Sequence, residues 1–145
     1  MRWLYTLFLY LSLPLVVLRL YWRSLKNPYY RSRIGERFGQ LPELNKTGTL
    51  WIHAVSVGET QASEPLVKRL QEQFPDLPIV ITTTTPTGSD RVKKLFGESV
   101  FHAYFPFDLP FAVWGFLKAA QPKILVMMET EVWPNLLAEC ERENI

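Results

Sequence analysis

Four apolar, β-prone runs, each followed by a helical pattern, constrain the fold of this chain more than any other feature. The apolar runs cover residues 50–55, 77–85, 100–105 and 123–128. Apolar side chains at helical spacing occupy the intervening and final segments, 61–74, 89–96, 111–120 and 133–143. Continuous apolar strands that alternate with helices are typical of a parallel sheet covered by helices. We therefore predict an α/β fold with a parallel sheet and helices on both faces.

Proline and glycine residues place the ends of three of these helices. Pro65 and Pro134 are predicted to lie in the first turns of their helices, where the missing backbone N–H costs little. Gly97 follows residue 96 at the position of a helix C-cap. The basic segment around residues 30–40 is predicted to form a short helix.

An uncharged apolar segment of 16 residues runs from Trp3 to Leu18. Spanning a bilayer takes about 20 residues, and extension to Trp22, with the Arg19 side chain reaching the interface, supplies that length. No small-residue site for signal-peptide cleavage follows the segment. We interpret residues 1–25 as a membrane-anchor helix. Whether it spans the bilayer or lies in one leaflet stays open, and a buried helix of a soluble domain is the alternative.

Basic residues are concentrated directly after the apolar segment. The net charge is only +2, which gives no reason to expect a nucleic-acid partner. The positive-inside rule places the rest of the chain in the cytoplasm, and the same charges suit an anionic lipid surface. We interpret residues 26–49 as a basic connector. From 19 to 37 there are six cations and one acid: Arg19, Arg23, Lys26, Arg31, Arg33, Arg37 and Glu36.

Polar stretches interrupt the apolar rhythm directly after each predicted strand. Their sequences are SVGET, TTPTGSD, FPFDLP and ETEVWPN. In a parallel sheet all four lie on the carboxyl edge, where open α/β sheets bind their ligands. Loop chemistry explains the glycines and prolines, but less readily the acids that follow apolar runs. These acids are Glu59, Asp108, Glu129 and Glu131.

The sequence gives Glu59 two interpretations. The spacing from Ser56 to Glu59 fits a capping box, in which the carboxylate accepts from a backbone N–H at the start of a helix. Alternatively, a carboxylate held ionised at a helix N-terminus is ready to act as a general base. The residue spacing does not choose between them.

The other polar stretches and the two histidines indicate a function less specifically. The hydroxyls and glycine of TTPTGSD suit an anion at a helix start or an ordinary N-capped helix, and the spacing of a P-loop is absent. Glu129 and Glu131 point the same way if strand geometry continues past residue 128. His53 and His102 are interpreted as core histidines. We predict no metal site, because there is no Cys/His cluster, and the single cysteine, Cys140, excludes an internal disulfide.

Taken together, RIGERFG, WIHAVSVGET, TTTTPTGSDRV, YFPFDLP and PKILVMMETEVWPNL closely resemble the 3-deoxy-D-manno-octulosonic acid (Kdo) transferases of lipopolysaccharide biosynthesis. The resemblance covers essentially the whole chain, in the same order. It implies one half of a GT-B glycosyltransferase, in which two Rossmann-like domains face a cleft. The N-terminal domain, residues 50–145 here, receives the lipid A precursor lipid IVA, and a C-terminal domain binds CMP-Kdo. The implied reaction is inverting and needs neither metal nor cofactor.

The resemblance also implies roles for individual residues. Glu59 matches the general base, and Glu129 matches a glutamate that stabilises the transition state. The expected location is the cytoplasmic face of the inner membrane. The donor site is expected beyond Ile145, so that this segment alone is expected to be inactive. The alternatives are a membrane-tethered, non-catalytic α/β binding module and a GT-B enzyme for another sugar. Candidate acceptor-binding residues are Ser56, Gly58, Thr85, Thr87, Gly88, Ser89, Glu131, Arg31, Arg33 and Arg37.

Overall fold

The computed structural model describes residues 2–42, 44 and 46–145, and in this part of the chain it contains one four-stranded sheet and five α-helices. The strands are β1 (Thr49–His53), β2 (Ile79–Thr83), β3 (Phe101–Tyr104) and β4 (Pro122–Met127). The helices are α1 (Arg2–Lys26), α2 (Val57–Gln73), α3 (Pro86–Phe96), α4 (Pro110–Ala120) and α5 (Pro134–Glu143). The predicted alternation of strands and helices is confirmed.

The sheet is parallel throughout, in the order β3-β2-β1-β4. Because neighbouring side chains of a strand point to opposite faces, the sheet has a core on each side. Leu50 and Ile52 pack with α2 and α3 residues such as Val67, whereas Trp51 packs with α4 and α5 residues such as Phe116. The predicted parallel sheet with helices on both faces is therefore confirmed.

Trp51 lies at the centre of the core on the α4 and α5 side. Its ring centroid is 4.3 Å from that of Phe116, and its indole N–H donates to the Thr82 hydroxyl at 2.8 Å. A buried tryptophan requires such a partner for its N–H. Adjacent strands are thereby joined by a side-chain hydrogen bond in addition to the backbone ladder.

The strand order reverses between β1 and β4. The chain moves outward from β1 through β2 to β3, and the α4 connection then returns it to the other side of β1. The helices that follow β1 and β4, α2 and α5, consequently lie on opposite faces of the sheet. Ligands of open α/β sheets bind outside the carboxyl ends of the strands at such a reversal. The topology therefore indicates the junction of β1 and β4 as the place for a ligand site.

Local sequence signals explain the helix ends. Ser56 and Glu59 form a complete capping box, which starts α2 at Val57. The prediction that Pro65 lies in the first turn is therefore wrong: Pro65 lies inside α2. Pro134 does begin α5, and Gly97, with a positive φ of 55°, does cap α3.

The connector after α1 is packed onto the domain. It contains two short 3-10 helices, Pro28–Tyr30 and Ile34–Phe38, so the predicted short helix is present. Gly39 ends the second one with φ of 78°, and a Cβ atom at Gly39 would overlap the carbonyl oxygen of Ala112 in α4. A glycine is required here both for the left-handed backbone and for the close approach.

Helix α1 is long and apolar enough to cross a membrane by length and composition. Its 25 residues correspond to about 37 Å at 1.5 Å per residue. On its domain side, the Thr6 hydroxyl donates to Asn135 Oδ1 at 2.9 Å, and Tyr10 stacks on Phe111 with the ring centroids 6.4 Å apart. Large apolar side chains, among them Leu11 and Leu15, are exposed along its other side. Such a helix is in itself a weak sign of membrane association.

Candidate active site

The carboxyl ends of β1 and β4 meet at the reversal of strand order. The backbone N–H of Met128 donates to the carbonyl of His53 at 3.0 Å, so pairing extends to the last residue of β1. On its other side, β1 is joined to the loop after β2, because the Thr84 hydroxyl donates to the carbonyl of Val55 at 3.0 Å. The polar loops after β1, β2 and β4 thus lie side by side, as predicted from the sequence.

The Glu59 carboxylate faces the end of β1 from the first turn of α2. Oε2 accepts from the backbone N–H of Val55 at 2.7 Å, and Oε1 accepts from the Ser56 hydroxyl at 2.7 Å and the Ser56 N–H at 3.2 Å. The Ser56 oxygen in turn lies 3.3 Å from the Glu59 N–H. The capping-box interpretation is therefore confirmed.

The capping hydrogen bonds leave the Glu59 carboxylate able to accept a further hydrogen bond. The two oxygens of a carboxylate offer about four acceptor positions, and only three donors contact the Glu59 oxygens. Oε2 has a single donor, and the side chain is half-buried rather than enclosed. Gly58 is exposed in the same turn and presents no side chain beside the carboxylate. The geometry allows Glu59 both to cap α2 and to accept a proton from a bound hydroxyl.

Glu129 and Glu131 lie in the loop that follows β4. The Glu131 N–H donates to the carbonyl of Glu129 at 2.9 Å, which closes a tight turn immediately after the strand. Strand geometry therefore does not continue, and alternation does not make the two side chains point the same way. Glu129 is exposed. Glu131 is half-buried, and its Oε2 accepts from the Trp133 indole N–H at 3.0 Å.

His53 occupies the last position of β1, directly beside these acids. It is 1% exposed, its ring stacks on Phe105 at 3.8 Å between centroids, and its Nδ1 lies 2.9 Å from the Thr82 hydroxyl. Its Nε2 lies 3.6 Å from Glu131 Oε2, and no hydrogen-bond partner for Nε2 exists in the described part of the chain. Burial lowers the pKa of His53 to about 4, although the Glu59 charge opposes this. His53 is a core histidine, as predicted, but its Nε2 atom has no hydrogen-bond partner within the described residues.

Neither histidine of this chain is expected to titrate near neutral pH. Burial, with the charges of Arg33 and Lys93, lowers the pKa of His102 to about 3, and His53 has its pKa near 4. Both values lie below about 6.5, the pKa of an unfolded histidine. The unfolded chain therefore binds more protons between about pH 6.5 and 3, so the contribution of the histidines to stability is complete above this window and is lost as the pH decreases through it. NMR titration of labelled histidines measures this, and a midpoint near 6.5 for either residue would contradict it.

The candidates after β2 separate into two groups. Thr85 Oγ1 accepts from the N–H of Gly88 at 3.1 Å and lies 3.2 Å from Thr87 Oγ1, at the edge of the sheet. Gly88 is buried, and a Cβ there would lie 3.0 Å from Thr83 Cβ. Ser89 is buried too, with its hydroxyl 3.4 Å from His102 Nδ1. Thr85 is half-buried and Thr87 is exposed, whereas Gly88 and Ser89 are buried in the first turn of α3.

The three candidate arginines have different environments. Arg33 forms an ion pair with Glu36 at 2.6 Å and donates to the carbonyl of His102 at 2.7 Å. Arg37 is 5% exposed, donates to the carbonyl of Thr84 at 2.8 Å and lines a cavity of about 230 Å³ beneath α1. Burial lowers the pKa of Arg37. Arg31 is exposed. Arg33 and Arg37 hold the connector against the sheet, which leaves Arg31 as the cation most available to a ligand.

Asp108, the last of the four acids that follow apolar runs, has a structural role. Its carboxylate accepts from the backbone N–H groups of Leu136 at 2.7 Å and Asn135 at 3.1 Å, at the start of α5. The Asp108 carbonyl accepts from the Asn135 amide at 2.7 Å. Asp108 thereby caps a helix from a separate loop.

Replacing Asp108 by Ala is expected to lower the free energy of unfolding by about 2–4 kcal/mol, because two buried N–H groups lose a charged acceptor. Chemical denaturation of the full-length protein measures the loss. Asp108→Asn keeps the shape and one carbonyl acceptor and should cost less. Equal stabilities of all three proteins would contradict the capping role.

Among residues 2–42, 44 and 46–145, no three His, Cys, Asp or Glu side chains lie close enough together to hold an ion. What converges at the β1–β4 edge is instead a set of carboxylates, hydroxyls and a neutral imidazole. Such a set suits the activation of a hydroxyl group and the stabilisation of positive charge.

Comparisons with known proteins agree with the motifs. The family model described as "3-Deoxy-D-manno-octulosonic-acid transferase (kdotransferase)" matches residues 32–145. A 3-deoxy-D-manno-octulosonic acid transferase of Haemophilus influenzae is 46% identical over 99% of this chain and 34% of its own length. A "Probable 3-deoxy-D-manno-octulosonic acid transferase, mitochondrial" of Arabidopsis thaliana is 38% identical over 86% of this chain and 28% of its own. The chain thus spans about a third of the length of these relatives. It belongs to the 3-deoxy-D-manno-octulosonic acid transferase family.

Proposed function

We propose that this chain is the acceptor-binding, N-terminal part of a glycosyltransferase that transfers Kdo from CMP-Kdo to lipid IVA. The observation that supports the proposal is that the loop with Glu59 and the loop with Glu129 and Glu131 follow the adjacent strands β1 and β4, at the reversal of strand order. The choice of Kdo as the transferred sugar rests on membership of the Kdo transferase family. CMP-Kdo contacts are assigned mostly to a second Rossmann-like domain in a GT-B arrangement.

In the proposed reaction, Glu59 accepts the proton of an acceptor hydroxyl. The hydroxyl oxygen forms a bond to the anomeric carbon of Kdo, while the bond from that carbon to the CMP phosphate oxygen breaks. CMP leaves with the electron pair, and attack from the opposite side inverts the anomeric centre. No metal ion takes part in the proposal.

Glu129 is proposed to stabilise the transition state. Departure of CMP leaves positive, oxocarbenium-like charge on the sugar. Glu129 is exposed in the loop after β4, so its carboxylate is available to a sugar bound over that edge. A fixed negative charge close to developing positive charge lowers the barrier without binding the ground state more tightly.

Membrane association is proposed to deliver the lipid acceptor. Helix α1 has the length and composition to enter a bilayer, and basic residues follow it. The positive-inside rule favours the cytoplasmic face of the inner membrane. Arg31, exposed just after α1, is the cation best placed for an acceptor phosphate or an anionic headgroup.

A membrane-tethered, non-catalytic binding module is the second candidate. The observation that favours it is the capping box, which accounts for Glu59 without catalysis. The decisive experiment supplies the full-length protein with CMP-Kdo and lipid IVA in detergent and follows the lipid by mass spectrometry. A transferase converts lipid IVA to a Kdo-bearing product and releases one CMP per Kdo. An unmodified lipid, under conditions in which the protein is folded and both substrates are intact, would favour the binding module.

A further inference from the structure

The tautomer of His53 follows from the hydrogen bonds behind its ring. The Thr82 hydroxyl oxygen receives the indole N–H of Trp51 at 2.8 Å and lies 2.9 Å from His53 Nδ1. An indole nitrogen only donates, so the Thr82 hydroxyl hydrogen is left for another acceptor. Within the described residues, Nδ1 is the acceptor in reach.

The competing arrangement is weaker. In it, Nδ1 would carry the hydrogen and donate to the Thr82 hydroxyl oxygen at 2.9 Å or to the backbone carbonyl of Thr82 at 3.3 Å. That carbonyl already accepts from the N–H of Ala54 at 2.9 Å, and the Thr82 hydroxyl hydrogen would have no acceptor within the described residues. The hydrogen bonds therefore run from Trp51 to Thr82 and from Thr82 to His53 Nδ1. A neutral imidazole that accepts at Nδ1 carries its hydrogen at Nε2.

The Nε2–H group is buried and points at Glu131. Stacking on Phe105 and burial of the whole ring fix its direction. Glu131 Oε2 lies 3.6 Å from Nε2, just beyond hydrogen-bond range. A buried N–H without a partner is costly. Glu131 is 32% exposed, so its side chain has room to move the short distance that closes this contact.

We propose that His53 is a positioning residue for Glu131. The His53 Nε2–H and the Trp133 indole N–H both donate to Glu131 Oε2. These two donors hold Oε2 at the end of β1 and leave Oε1 directed towards the bound acceptor. Glu131 then has one oxygen committed to the protein and one available to a sugar hydroxyl. The role in transfer rests on the proposed function, whereas the His53–Glu131 contact does not.

The first test is spectroscopic and requires no activity. In ¹⁵N NMR of the full-length protein with labelled histidine, His53 is expected as the Nε2–H tautomer at neutral pH. Glu131→Gln should shift the Nε2–H proton resonance, because a charged acceptor is replaced by a neutral one. An Nδ1–H tautomer, or a resonance unchanged by Glu131→Gln, would overturn the proposal. A failed transfer assay with these signals present would instead count against the proposed function alone.

The second test uses two replacements of His53 in the transfer assay. His53→Phe keeps a ring against Phe105 but removes the donor, and it should lower kcat about 10–100-fold with little change in the KM for acceptor, because a carboxylate is misplaced. His53→Gln offers an amide N–H near the position of Nε2 and should recover most of that loss. Equal losses in the two variants, at equal thermal stability, would indicate a purely structural role.

A double-mutant cycle completes the design and also covers the case in which one His53 variant folds poorly. If His53 acts through Glu131, adding His53→Phe or His53→Gln to Glu131→Gln should lower kcat no further than Glu131→Gln alone. Losses that multiply would show that His53 acts independently and would overturn the proposal.

Discussion

Replacing Glu59 by Gln in the full-length enzyme is expected to lower kcat about 10²–10⁴-fold, the usual contribution of a general base. An amide accepts hydrogen bonds but cannot remove a proton from a hydroxyl group. The acceptor oxygen would then have to attack while still protonated. Initial rates of Kdo transfer at saturating CMP-Kdo and lipid IVA measure the effect.

The fold should survive this substitution. Glutamine at the third position of a helix still completes a capping box, and its carbonyl oxygen keeps an acceptor for the Val55 or Ser56 N–H. Glu72→Gln is the matched control, because it removes the same charge from an exposed position of α2. If Glu59→Gln retained the rate of Glu72→Gln, the carboxylate would be a helix cap and nothing more.

Glu129→Gln is expected to lower kcat about 10²–10³-fold, a loss typical of removing one group that stabilises the transition state electrostatically. The charge acts only when the sugar becomes positive, so the KM values for both substrates should change little. Stability should also be unaffected, because the side chain is exposed and, within the described residues, accepts no hydrogen bond. Steady-state kinetics measures kcat and the KM values, and thermal unfolding of the same preparation measures stability.

A loss of stability without a loss of rate would assign Glu129 to a structural contact. Glu98→Gln is the matched control, since Glu98 is an exposed acid near the amino ends of the strands. Both substitutions remove one negative charge from the domain. A general effect of net charge on substrate binding would therefore lower the rate in both proteins, whereas a local role lowers it only in Glu129→Gln.

The fold and the adjacency of the polar loops after β1, β2 and β4 were predictable, because both depend on short-range patterns. Buried strands are read from runs such as 50–55, and polar loops after strands must share one edge of a parallel sheet. The pairing of Ser56 with Glu59 is also a local signal, and it is present as predicted. The position of Pro65 was misjudged, because the same capping box starts α2 earlier than the apolar spacing alone suggests.

What could not be predicted depends on contacts between distant segments. Arg33 and Arg37 look like free surface cations in the sequence, but His102 and Thr84 provide them with internal partners. Ser89 is likewise buried beside a residue distant in sequence, because its hydroxyl lies 3.4 Å from His102 Nδ1. His53 was expected to be a satisfied core residue, because no local pattern brings Glu131 close to its outer nitrogen. The reversal of strand order, which places β4 beside β1, creates that proximity.

The proposed function requires that the acceptor binds where β1 and β4 end. This can be tested by hydrogen exchange of the full-length protein in detergent, with and without lipid IVA. Bound acceptor should slow exchange in residues 55–60 and 128–133 together, and leave residues 75–78 at the opposite edge unchanged. Protection confined to the amino ends of the strands, or to α1 alone, would contradict the claim.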